Sequence, residues 1–108
     1  MSGMYKKMGL CQGRHNIEGI TEYIFPQEVN PLDLNKLAEM VHEALADCTK
    51  LDLYVTGLTV ALVEVINYAT KNNIALTLWH YNRDTGDYYP QPMATDLWKD
   101  DLREGGYI

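Results

Sequence analysis

Residues 51–81, LDLYVTGLTVALVEVINYATKNNIALTLWHY, decide the fold. Leu51, Leu53 and Val55 alternate with Asp52, Tyr54 and Thr56, a period of two that gives a strand one apolar and one polar face. The period then changes. Leu58, Ala61, Leu62, Val65, Ile66 and Ala69 recur at helical spacing, and Val60 and Val63 broaden the stripe, so this helix is expected to be covered on two sides. Asn72-Asn73 ends it, and Ile74 to Tyr81 reads as a second strand. Strand, helix and strand in this order form a βαβ unit, whose crossover is right-handed in nearly all proteins. A parallel pair is expected, with Thr56-Gly57 at the carboxyl end of its first strand.

Towards the N-terminus, residues 5–12 (YKKMGLCQ) and 20–25 (ITEYIF) read as strands, the second stopped by Pro26. They are expected to form a hairpin with GRHNIEG as its long loop, although no short hairpin turn signature fixes the register. Asn30-Pro31-Leu32-Asp33 starts a helix, with Asn30 as cap and Pro31 in the first helical position. Leu34, Leu37, Ala38, Val41, Ala44, Leu45 and Cys48 carry its apolar stripe, so the helix is expected from about Leu32 to Cys48, with His42 at the stripe's edge.

Towards the C-terminus, Asn82-Arg83-Asp84-Thr85-Gly86 has turn chemistry, and Asp87-Tyr88-Tyr89 returns as an antiparallel edge strand stopped by Pro90 and Pro92. The chain is thus expected to be one α/β domain over residues 1–92. It would hold a mixed sheet of about five strands and two main helices. Residues 93–108 form a tail with a short helix capped by Thr95, whose Trp98 packs on its own domain or on a neighbouring subunit.

With 108 residues and 46% hydrophobic residues, one buried core is within reach. The formal net charge of −6 disfavours long nucleic acid as a partner, yet leaves room for a small anion held by a helix N-terminus and an arginine or two. No basic start precedes an apolar segment and no stretch is long enough to span a membrane, so the expected location is the cytoplasm. The two cysteines, Cys11 and Cys48, match neither a disulfide scaffold nor a zinc ribbon, and are expected to be reduced and structural.

Three polar clusters fall at strand ends, where open α/β sheets bind ligands. In Thr56-Gly57-Leu58-Thr59, glycine admits a ligand to the backbone and the two hydroxyls can donate to phosphate or carboxylate. Alternatively Thr56 or Thr59 only caps the helix. His80-Tyr81-Asn82-Arg83 offers imidazole, phenol, amide and guanidinium to a base, a ribose and a phosphate. Its alternative is a solvated turn with Arg83 paired to Asp84 or Asp87. Gly13-Arg14-His15-Asn16 follows the first strand, where Arg14 can hold a phosphate and His15 or His80 can act as general acid, unless the segment is a plain hairpin tip.

His15, His42 and His80 lack metal-ligand spacing and no carboxylate pair stands out, so neither a metal nor another cofactor is expected. Serine occurs only at Ser2, which removes a serine triad. Cys11 as a nucleophile is disfavoured by its place within a strand.

The order strand, Gly-Arg-His loop, strand-Thr-Gly-Leu-Thr-helix, strand-His-Tyr-Asn-Arg over roughly residues 5–90 resembles small Rossmann-like CRISPR-associated and phage-encoded proteins that bind cyclic oligonucleotides. Some of those are ring nucleases, which open the messenger without a metal by setting a ribose 2′-hydroxyl against the adjacent phosphate. The resemblance implies a homo-oligomeric binder of a nucleotide-type ligand, with binding threonines at Thr56 or Thr59 and a basic catalytic residue at His15 or Arg14. Two other classes remain open. One is a non-enzymatic phage or defence-system accessory acting through its Met-rich start and tyrosine-rich return strand. The other is an enzyme acting on another small phosphorylated metabolite.

Overall fold

The computed structural model describes residues 3–13 and 17–93. Five strands and two helices follow one another as β1 (Met4–Cys11), β2 (Tyr23–Phe25), α1 (Leu34–Leu45), β3 (Cys48–Tyr54), α2 (Thr59–Lys71), β4 (Ala75–Asn82) and β5 (Asp87–Met93). They build one mixed sheet in the order β2-β1-β3-β4-β5, in which β5 alone runs antiparallel to its neighbour. The α/β class expected from residues 51–81 is thus the one observed, with the βαβ unit at β3-α2-β4.

The two helical crossovers, β2 to β3 and β3 to β4, step the same way along the sheet. Right-handed connections then place both helices on one face, where α1 and α2 also pack against each other. Leu10, Leu51, Leu53, Leu76 and Leu78 meet Leu37, Val41, Leu45, Ala61 and Val65 in a single buried core. Truncating a fully buried residue such as Leu53 to alanine costs about 2–5 kcal/mol, because the close-packed neighbours cannot collapse into the void. The sheet and α1 cover α2 from two directions, although Val63 stays exposed. His42 of α1 meets Tyr68 of α2 edge-on, at 5.6 Å between ring centroids.

Helix ends follow local chemistry. Asp33, rather than Asn30, caps α1, its Oδ1 accepting from the Lys36 amide at 3.2 Å. Asn30 instead accepts from the Leu32 amide, so Pro31-Leu32 form a turn outside the helix. At the other end Lys6 of β1 donates to the Ala44 carbonyl at 2.8 Å and pairs with Asp47 at 3.4 Å, and the helix stops at Leu45. Cys48, expected in that helix, opens β3 and is buried there. Asn73 takes a left-handed φ of 54° just after α2, and the Ile74 amide donates back to the Ala69 carbonyl, so Asn72-Asn73 ends the helix as expected.

Two further expectations are corrected. The hairpin between the first two strands is replaced by a parallel pair, Gly9 beside Tyr23 and Cys11 beside Phe25. Ile17 and Glu18 of the connection lie on the sheet face opposite α1 and α2, beside Tyr54 and Trp79. Ile17 donates its amide to the Tyr23 hydroxyl, and the Tyr23 ring lies over Gly9, where any side chain would collide with it. The return strand is also not stopped by Pro90 and Pro92, since β5 continues to Met93. An edge strand needs only its inward amides, and prolines two residues apart turn the same way, so both nitrogens can face the free edge. Met93, expected at the head of the tail, therefore ends β5 and packs on the core. The expected tail helix, with Thr95 and Trp98, lies outside the described residues.

Candidate functional site

After β1 the chain turns to the helix-free face, and after β3 it enters α2 on the opposite face. Adjacent strands whose continuations diverge leave a crevice beyond their carboxyl ends, the usual ligand position in open α/β sheets. Here a hollow of about 320 Å3 occupies that point, lined by Cys11 at the end of β1, Gln12 and Gly13 after it, Gly57 and Leu58 after β3, and Gln27 among the residues after β2. Gly57 holds a φ of 75°, a left-handed conformation that glycine adopts freely. The Thr56 hydroxyl is already engaged, donating to the Cys11 carbonyl at 2.6 Å and accepting from the Cys11 amide at 3.0 Å. It ties the two strand ends together and does not cap the helix. Leu58 is the N-cap of α2 and supplies no side-chain bond, so neither Thr56 nor Thr59 fills that role.

A second, larger hollow of about 800 Å3 lies next to the first on the helix-free face, and Gly13 and Thr56 line both. Its wall is aromatic because side chains facing away from the helices alternate along β3, β4 and β5. Tyr54 and Trp79, paired across neighbouring strands, stack at 5.6 Å between centroids and 7° between planes. Tyr88 meets Tyr54 and Tyr81 at 5.1 and 5.3 Å with its ring tilted, and the Lys7 ammonium lies 5.9 Å above the Tyr54 ring. Glu18 and Asp87 add carboxylates to the rim. Trp79 Nε1 is buried without a hydrogen-bond partner among the described residues. Burial, followed by the neighbouring tyrosine hydroxyls, pushes the Tyr88 phenol above its ordinary range, so it is a neutral hydrogen-bonding group at physiological pH.

The fold brings together part of the residue set expected from sequence. Gly13, Thr56 and Tyr81 meet at the aromatic groove, and Gly57 and Leu58 join Gly13 and Thr56 at the crevice. Thr59 is exposed as the first residue of α2 and lines neither hollow. His80 alternates with Tyr81 and faces the other side of the sheet, its Nε2 2.8 Å from Gln91 Oε1 and its ring 5.5 Å from that of Tyr89. Asn82 shapes the β4–β5 turn by accepting from the Asp84 amide at 2.9 Å. Arg83 sits exposed on that turn, in no ion pair with Asp84 or Asp87. Arg14, His15 and Asn16, which follow Gly13 in the chain, lie outside the described residues.

No family model, no curated protein and no solved structure matches this chain. Among the described residues no group of His, Cys, Asp and Glu is placed to hold a metal ion, and no helix is long and apolar enough to cross a membrane. Burial pushes the Cys11 thiol up, against a smaller opposing effect of the Leu58 backbone, which disfavours the thiolate a nucleophile would need.

Sequence reasoning from strand ends missed Tyr54, Trp79, Tyr88, Glu18 and Asp87. The signal was present in the alternation. Tyr54 stands two residues before Thr56, and Trp79 two residues before Tyr81, so each pair shares a face. What joins them is the register of β3, β4 and β5, which no single strand discloses.

Proposed function

We propose that the protein binds a small nucleotide-type ligand at the carboxyl edge of the sheet, with the base in the aromatic groove and the phosphate in the adjoining crevice. One observation carries this reading: the stacked-ring hollow and the β1/β3 crevice adjoin, with Gly13 and Thr56 lining both. Flat aromatic walls suit a nucleobase of any identity, while Glu18 and Asp87 can accept from exocyclic amines. At the crevice, Gly57 and the first-turn amides of α2 suit an anion. Arg14, next to Gly13 in the chain, would add a cation for the phosphate.

Within this class we favour a cyclic oligonucleotide, in keeping with the resemblance drawn from sequence. In its metal-free opening, a ribose 2′-hydroxyl gives up its proton to solvent and attacks the adjacent phosphorus, the bond to the 5′-oxygen breaks to leave a 2′,3′-cyclic phosphate, and His15 gives that oxygen its proton while Arg14 holds the phosphate charge. A two-fold dimer would present a pair of such sites to a symmetric ligand. A second reading, contact with a protein partner, is favoured by the half-exposed Met4, Tyr5 and Tyr89.

Thermal unfolding against mononucleotides, dinucleotides and cyclic oligonucleotides, with chromatography of each mixture, tests both. A ligand at a hundred times its Kd should stabilise the fold by about 2.7 kcal/mol. Return of a linear product, abolished by His15→Ala without loss of binding, establishes cleavage. Absence of any shift rejects the nucleotide reading in favour of a protein partner.

A further inference from the structure

Sheets built from parallel strands are ordinarily covered on both faces. Here Ile17 and Glu18 of the β1–β2 connection reach the carboxyl end of the sheet beside Tyr54 and Trp79, and among the described residues no helix lies on the face carrying Tyr5, Lys7, Lys50, Tyr54 and Trp79. Two of its features are unusual for bare surface. Lys7 and Lys50 are exposed and form no ion pair with any described residue, yet each ammonium lies over a tyrosine ring, at 5.9 Å from Tyr54 and 5.5 Å from Tyr5. Asp52, the carboxylate between them, accepts from the Tyr5 hydroxyl at 2.6 Å. The face therefore offers rings and two cations outside any ion pair, with the Asp52 carboxylate as the single acidic group between them, although the whole chain is acidic.

Resting on the nucleotide reading above, we propose that this face extends the groove into a track for a single-stranded oligonucleotide of a few residues, with bases on the rings and phosphates at Lys7 and Lys50. The spacing selects the length. From Tyr54 back to Lys50 is four steps along β3, or about 13 Å, which matches about four stacked nucleotides at about 3.4 Å each. A mononucleotide seated on Tyr54 and Trp79 cannot reach Lys50; a tri- or tetranucleotide can. Aromatic stacking with backbone-tracking lysines binds strands with little regard to base, so the track confers length selection more than sequence selection.

Calorimetric titration of the full chain with 2′-O-methyl tetranucleotides and the matching 2′-O-methyl mononucleotides, in each of the four bases, tests the track. The 2′-O-methyl group blocks internal attack, so binding is measured apart from cleavage. The tetramer should bind at least about tenfold more tightly than the monomer. Its affinity should fall with salt more steeply, by a log–log slope of about 0.7 for the added phosphate contact at Lys50. Lys50→Gln should remove both differences and leave monomer binding unchanged, since Lys50 lies over Tyr5 and away from the groove; the side chain is exposed, and circular dichroism confirms that the variant folds. Equal affinity of monomer and tetramer, or a tetramer advantage that survives Lys50→Gln, overturns the track while leaving the nucleotide site standing. Failure of every monomer and tetramer to bind rejects the underlying site as well. A second copy of the chain on this face would show as a sedimentation coefficient altered by Lys7→Glu with Lys50→Glu and no tetramer binding, which also overturns the track.

Discussion

The Thr56 hydroxyl makes both of its hydrogen bonds to one residue, Cys11, donating to its carbonyl and accepting from its amide. β1 and β3 are thereby joined at the point where their ladder has ended and their paths diverge. A side chain does here what the backbone can no longer do.

Thr56→Val keeps the shape and removes the bonds, leaving the Cys11 amide and carbonyl without that partner. Loss of about 1–3 kcal/mol is expected in urea unfolding, and Thr56→Ser should recover most of it. Equal stability of the valine and serine variants would show that the bonds contribute nothing.

Gly57 is constrained by conformation and not by space. Its φ is 75°, whereas an added Cβ would meet Cys11 Cβ at an ordinary 3.8 Å. Gly57→Ala should therefore cost about 1–2 kcal/mol through the left-handed backbone alone, and Gly57→Asn less, because asparagine tolerates that region. A larger loss for asparagine than for alanine in thermal melts would indicate crowding instead.

Tyr5 is pushed up to about 12, chiefly by the hydrogen bond to Asp52, with burial and the Asp52 charge adding to it. A phenol that ionises later in the folded chain contributes stability that is complete below the unfolded value near 10 and is lost as pH rises from there through about 12. In an alkaline absorbance titration, Asp52→Asn should return one tyrosine towards pH 10. A titration curve unchanged by that substitution would sever the assigned link.

Burial pushes the thiols of Cys11 and Cys48 up. At pH 7.5 both should react with iodoacetamide more slowly than a free thiol, and denaturant should release both. Rapid alkylation of Cys11 in the native protein would identify it as activated and reopen its place in the chemistry.

Much of the architecture was legible because single segments carry their own periods. The shift from alternation over 51–56 to helical spacing from Leu58 located β3 and α2 before any contact was known. The failures occurred where the outcome depends on distant partners. Pro90 and Pro92 read as stops, but an edge position tolerates them, and edge status is a property of the whole sheet. The stretch after β1 read as a hairpin loop, whereas β1 and β2 pair in parallel with the Tyr23 ring over Gly9. Asn30 and Asp33 both had capping chemistry, and only the observed turn shows which one ends as the cap.

By itself the sequence determined the class of the fold, the βαβ unit, the helix stop at Asn72-Asn73 and the location of polar residues at strand ends, since hydrophobic period and local caps act over a few neighbouring residues. Tertiary structure alone decided that Tyr81 and not His80 faces the groove, that Thr56 is bound to Cys11, and that Tyr54, Trp79 and Tyr88 form one wall. Those facts depend on strand order and register, which are set by the summed burial of Leu51, Leu53, Leu76 and Leu78 against two helices rather than by any local stretch of chain.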